Sequence, residues 1–146
     1  MLSPWGPWAE RRYFLDKMTL RDLVVAYLTH YSIIAYLLLA ASAIGLAWHL
    51  ADDAGPPLLA AAATVALYPL VEYVLHRFVL HAKFLYRSAA TAKVWKRIHF
   101  DHHQNPHDLS VLFGALYTTL PTIALITLPL GGAVAGWPGA LASLAT

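Results

Sequence analysis

Three apolar runs, residues 23–50, 58–75 and 109–130, constrain this chain most, because each is about as long as a helix that crosses a bilayer. Hydrophobic residues make up 59% of the 146 and charged residues 12%, where a soluble domain carries about 25% charged. A soluble domain of this size hides only about two-thirds of its unfolded surface. So few charges cannot cover the remainder, and the apolar excess must face lipid or partners. The expected architecture is an all-α integral membrane protein, organised as one domain, with three transmembrane helices and an incomplete fourth.

Residues 1–22 mix Trp5, Trp8, Tyr13 and Phe14 with Glu10, Arg11, Arg12, Asp16, Lys17, Arg21 and Asp22. Such a mixture predicts an interfacial segment, a short amphipathic helix with its aromatic rings at headgroup level. As one helix, residues 23–50 would reach roughly 42 Å against a hydrocarbon core of about 30 Å, so the span is expected to tilt or to emerge at one end. Asp52-Asp53-Ala54-Gly55-Pro56-Pro57 supplies a turn. In the second span Pro69 predicts a kink, and Glu72 stands near its end. Pro121 and Pro129 predict kinks or ends in the third. Gly131-Gly132 and Trp137-Pro138-Gly139 predict a turn, after which residues 140–146 open a fourth span that does not finish.

All ten Lys and Arg residues fall on one side of this arrangement. Arg11, Arg12, Lys17 and Arg21 precede the first span, and Arg77, Lys83, Arg87, Lys93, Lys96 and Arg97 lie between the second and third. The positive-inside rule therefore places the N-terminus and residues 76–108 in the cytoplasm. The short loops and the alanine and leucine content lean toward a bacterial inner membrane. Basic clusters in such a chain report topology, so no nucleic-acid partner is expected. Lys83, Arg87, Lys93, Lys96 and Arg97 read first as inside-facing anchors, and also as groups that would attract anionic lipid headgroups or an acidic electron donor.

No cysteine is present, which excludes disulfides, iron-sulfur clusters, thiolate metal sites and a cysteine nucleophile. Any metal must be held by nitrogen or oxygen. Six of the eight histidines fall between His76 and His107, and neutral imidazole is the commonest metal ligand. They form an H-x4-H, His76 and His81, and an H-x2-H-H, His99, His102 and His103, followed by His107. On an α-helix His99, His102 and His103 project to one side. His76 and His81 would stand about 140° apart, suited to different metals unless the helix deforms. His30 and His49 read as interfacial polar groups. Trp95, Ile98 and His102 recur at helical spacing, which predicts an amphipathic helix over residues 90–103, lying along the membrane surface above the metal site.

The stretch Glu72-Tyr73-Val74-Leu75-His76-Arg77-Phe78-Val79-Leu80-His81, then Ile98-His99-Phe100-Asp101-His102-His103, Pro106, Asp108 and Leu112-Phe113, resembles the fatty acid hydroxylase/sterol desaturase superfamily. The resemblance covers roughly residues 58–121. It implies a helical membrane enzyme with a cytosol-facing dimetal centre. The metal would be two iron ions, or zinc as isolated. Dioxygen and an external electron-donor protein would be used to hydroxylate, or otherwise oxidise, a C–H bond of a fatty acyl, sterol or carotenoid lipid. By the same resemblance His76, His81, His99, His102 and His103 are metal ligands, and His107 either adds one or flanks the turn at Asn105-Pro106. Glu72 and Asp101 would orient imidazole N–H groups; otherwise Glu72 pairs with Arg77 and Asp101 is solvated. Asp108 matches the family's tail and also stands where the third span needs an N-cap. No catalytic group beyond the ligands is assigned.

The family carries a second histidine-rich half, whereas this chain has no histidine after His107. The expected explanations, in order, are a fragment, a degenerate member acting as a non-catalytic metal-binding membrane protein, and a homo-oligomer that builds the site from two chains. A further reading is haem held by two histidines on facing helices, His30 among them; the tight H-x2-H-H argues against it.

Overall fold

The structure, a computed structural model, describes residues 14–146 and is helical throughout, with no strand among the described residues. The aromatic and basic residues before Phe14, on which the interfacial helix chiefly rests, lie outside the described residues. Within that segment, Leu15–Lys17 forms a single 3-10 turn. The backbone of Leu15 donates to the carbonyl of His107 at 2.9 Å, and Phe14 bridges Asp108.

Helix α1, Leu20–Thr29, starts at a reciprocal capping box. Thr19 Oγ1 accepts from the Asp22 backbone N–H at 3.3 Å, while the Asp22 carboxylate accepts from the Thr19 backbone N–H at 3.0 Å and from its hydroxyl at 2.6 Å. Those two bonds, the hydroxyl's first, hold the Asp22 carboxyl below the usual aspartate range.

The first apolar run is not one helix. It breaks at His30, whose backbone is extended, and resumes as α2, Tyr31–Leu50. His30 Nδ1 accepts from the Ser32 backbone N–H at 3.3 Å and lies 2.7 Å from the Ser32 hydroxyl. A side chain that caps the next helix competes with continuing the previous one. The break removes the excess length, because 20 residues of α2 reach about 30 Å, one hydrocarbon thickness.

Asp53 accepts from the Gly55 backbone at 3.1 Å, opening α3, Gly55–Val74, with proline in its first turn. The helix continues past Pro69, whose nitrogen has no N–H to donate, and on into a π turn at Leu75–Leu80. The second apolar helix therefore spans Gly55–Leu80 and carries the first histidine inside it, beyond the end expected at residue 75. Short helices follow: α4, Lys83–Arg87, and α5, Ala92–Trp95. From α5 the chain continues through a second π turn, Lys96–Phe100, into α6, Asp101–Gln104. Helix α7, Leu109–Leu112, stops at the extended Phe113, and α8, Leu116–Leu144, completes the third long apolar segment.

The turn expected around Gly131-Gly132 and Trp137-Pro138-Gly139 lies between them. Ala135 and Gly136 leave helical geometry, and Gly136 takes φ 58°, which a residue with a Cβ rarely adopts. There the chain folds back on itself so closely that a Cβ on Gly131 would overlap the Gly139 carbonyl and the Ser143 hydroxyl. Residues 137–144 thus run back along Gly131 as a helix, with Ala140 and Ser143 buried.

The chain divides into two compact units. One comprises the described residues up to Ala35 with Lys83–Thr118, the other Tyr36–Ala82 with Thr119–Thr146. In the second, buried positions are small: Ala43, Ala47, Ala60, Thr64, Ala140 and Ser143. Thr64 donates to the Ser143 hydroxyl at 2.8 Å, and the Tyr36 and Thr119 hydroxyls bond to each other. Leu38, Trp48 and Leu125 point outward, 65–77% exposed. Small buried residues with large apolar ones outside is how helices pack in lipid, where close backbone approach replaces the hydrophobic drive. Three helical segments, Tyr31–Leu50, Gly55–Leu80 and Leu109–Leu144, are long and apolar enough to cross a membrane.

Candidate metal centre

The first histidine pair owes its geometry to the π turn. The His81 backbone N–H donates to the His76 carbonyl at 3.2 Å, an i→i+5 bond, and π winding stacks residues five apart on one face. The deformation that would bring these histidines together is present. Their ring centroids are 5.0 Å apart, and their ligating nitrogens lie within 4.8 Å. His76 is half-buried and His81 exposed. Both line a concavity of about 570 Å³ whose other walls are Tyr68, Pro69, Glu72, Tyr73 and Arg77. Arg77 does not pair with Glu72. Its guanidinium sits 5.7 Å from the rings of both Tyr73 and Phe78, leaving Glu72 on the concave wall one turn before His76.

The second pair is His99 and His103, in the other unit. Their rings are 4.6 Å apart edge-to-face and their nitrogens also lie within 4.8 Å. His99 is 3% exposed, and the indole of Trp95 lies beside it, with ring centroids 5.9 Å apart. His102 stands beside this pair, with its ring 5.6 Å from that of His103. His107 is exposed, and its backbone carbonyl accepts from Leu15. His30 is engaged by Ser32 and lies against Phe113 and Tyr31, with ring centroids 4.4 and 4.7 Å away.

The acidic residues near the second box have other partners. Asp101 forms an ion pair with Lys96. Asp108 is buried and caps α7, accepting from the Ser110 backbone at 2.9 Å and its hydroxyl at 2.6 Å, as helix capping requires of an aspartate there. Arg97 closes the same loop, donating to the carbonyls of Ser110 at 2.7 Å and Val111 at 3.4 Å. A polar frame of Asp108 and Arg97 therefore fixes the chain after the second box.

Sequence reasoning missed Tyr68 and Tyr73 as walls beside the first pair. The i, i+4 spacing from Tyr68 through Glu72 to His76 is the signal that marks that face. Trp95 was legible as part of an apolar stripe, but not as the ring beside His99. Comparison with protein-family models, with curated proteins and with solved structures returns no match.

Proposed function

We propose that the protein is a membrane-embedded, metal-dependent oxygenase that hydroxylates or otherwise oxidises a C–H bond of a fatty acyl, sterol or carotenoid lipid, using dioxygen and electrons from an external donor. The observation that carries this reading is that each histidine box sets two imidazoles side by side at a π turn, His76 and His81 across the first, and His99 inside the second with His103 in α6 just after it. Such turns within α-helices occur frequently at functional sites.

The donors fit a metal. Two imidazole nitrogens on one ion, each about 2.1 Å away, stand at most about 4.2 Å apart, so a small ring rotation from the observed separation suffices. Nitrogen-only ligation without thiolate accommodates iron, zinc or copper. When bound, iron supplies dioxygen activation and C–H oxidation, which no side chain performs.

The chain's own residues do the rest. His76, His81, His99 and His103 hold metal, with His102 adjacent to the second pair. Glu72, on the wall that His76 shares, orients imidazole, and Trp95 keeps water from His99. The concavity beside His76 and His81, walled by Tyr68 and Tyr73, receives the reactive segment of a lipid. The charge distribution supports a cytoplasmic N-terminus and histidine segment, and the short loops with the alanine and leucine content lean toward a bacterial inner membrane.

The test is metal analysis of the purified protein together with lipid extracts from cells with and without the gene, grown under isotopically labelled dioxygen. The expected result is bound iron or zinc, lost in H76A/H81A and in H99A/H103A, and a lipid that gains labelled oxygen only with the intact gene. Metal without product would make the protein a non-catalytic metal-binding membrane protein. A histidine segment that binds no metal overturns the reading.

A further inference from the structure

Between Glu72 and Asp101 the chain has six basic residues and no acidic one. The structure gives three of the six a partner. Arg77 lies on two aromatic rings, Lys96 pairs with Asp101, and Arg97 holds two carbonyls. Lys83, Arg87 and Lys93 are exposed and have no ion pair among the described residues.

These three are displayed by a small, fixed scaffold. Helix α4 reads Lys-Phe-Leu-Tyr-Arg, with a cation at each end and aromatic residues between. Phe84 is 62% exposed, and Tyr86 and Val94 are exposed beside it. Helices of five and four residues are not stable alone. Here Tyr86 packs on Trp95 at 5.2 Å, and the Thr91 hydroxyl donates to the Leu85 carbonyl at 2.6 Å, so α4 and α5 brace each other.

We propose that residues 83–95 form a docking surface for anionic phospholipid headgroups, with Lys83, Arg87 and Lys93 as the cations and Phe84 and Tyr86 as interfacial anchors. Two features select a lipid surface over a soluble acidic protein. Lys83 follows the apolar helix Gly55–Leu80 by three residues, within reach of the headgroup layer if that helix spans. Exposed aromatic side chains interleaved with cations are what the membrane interface accommodates and water does not. The proposal does not rest on the oxygenase reading.

The experiment is amide hydrogen exchange on the full chain in nanodiscs of phosphatidylcholine alone and of phosphatidylcholine mixed with phosphatidylglycerol. Exchange across residues 83–95 should slow in the anionic bilayer, by roughly fivefold for each cation engaged, while α2 is unchanged. Raised salt should reverse the slowing. Inorganic phosphate added to the phosphatidylcholine discs should not reproduce it, and K83Q/R87Q/K93Q should abolish it while leaving metal content intact. Equal exchange in the two bilayers, or slowing that survives salt or the triple substitution, overturns the proposal.

Discussion

The two histidine boxes reach the same local geometry by different means. His76 and His81 sit at the end of an uninterrupted apolar helix, and the π turn itself aligns them, with one ring exposed and the other half-buried. His99 and His103 sit in a run of short helices that has little hydrophobic burial of its own. That box is held by side chains: Trp95 beside a buried His99, the Lys96–Asp101 ion pair within the turn, and the Asp108 and Arg97 frame after it. The comparison teaches that a long helix can bring imidazoles together through backbone winding alone, whereas a loop-like segment needs a polar and aromatic framework to do so.

That contrast breaks most decisively through the backbone. Inserting one alanine between Phe78 and Val79 moves the histidines of the first box to i, i+6 and should lower metal affinity by at least the roughly 10–100-fold that losing an outer-shell partner costs. Deleting Val79 instead restores α-helical i, i+4 spacing and should retain binding, both read by titration with cobalt(II). If the insertion binds as tightly as the parent, backbone winding is not what aligns the first pair.

Stability sharpens the contrast at a smaller scale. His99→Ala empties a buried position beside Trp95 and should cost about 2–3 kcal/mol in metal-free unfolding measurements. His81→Ala, at an exposed site, should stay within about 0.5 kcal/mol. Equal losses would mean that the two boxes are supported alike.

The most local effect concerns the frame. Asp108→Ala removes the cap of α7 and should cost about 1 kcal/mol, with faster amide exchange at Ser110, while exchange across the first box is unchanged. Unaltered exchange at Ser110 would remove Asp108 from the frame.

Much of this was legible in the residues. The three apolar runs mark three long helical segments because length and hydropathy are local quantities. Asp108 announced its capping role because an aspartate before an apolar helix has an unsatisfied backbone N–H to meet. The histidine boxes showed which side chains share chemistry. Periodicity could not show the break at His30, since a histidine that caps the following helix looks like any polar residue within an apolar run. Neither could it show that residues 140–146 return along Gly131, which depends on two glycines meeting across a turn.

The sequence by itself determined an all-helical chain with three candidate spans, a thiolate-free donor set rich in histidine, and six of the ten cations within the histidine segment. Each of these follows from which side chains exist and how far apart they stand along the chain. Only the tertiary structure decided that His76 and His81 face each other, that Asp101 answers Lys96, and that Lys83, Arg87 and Lys93 are left exposed. Those outcomes depend on helical winding and on competition between partners, and neither is a property of spacing alone.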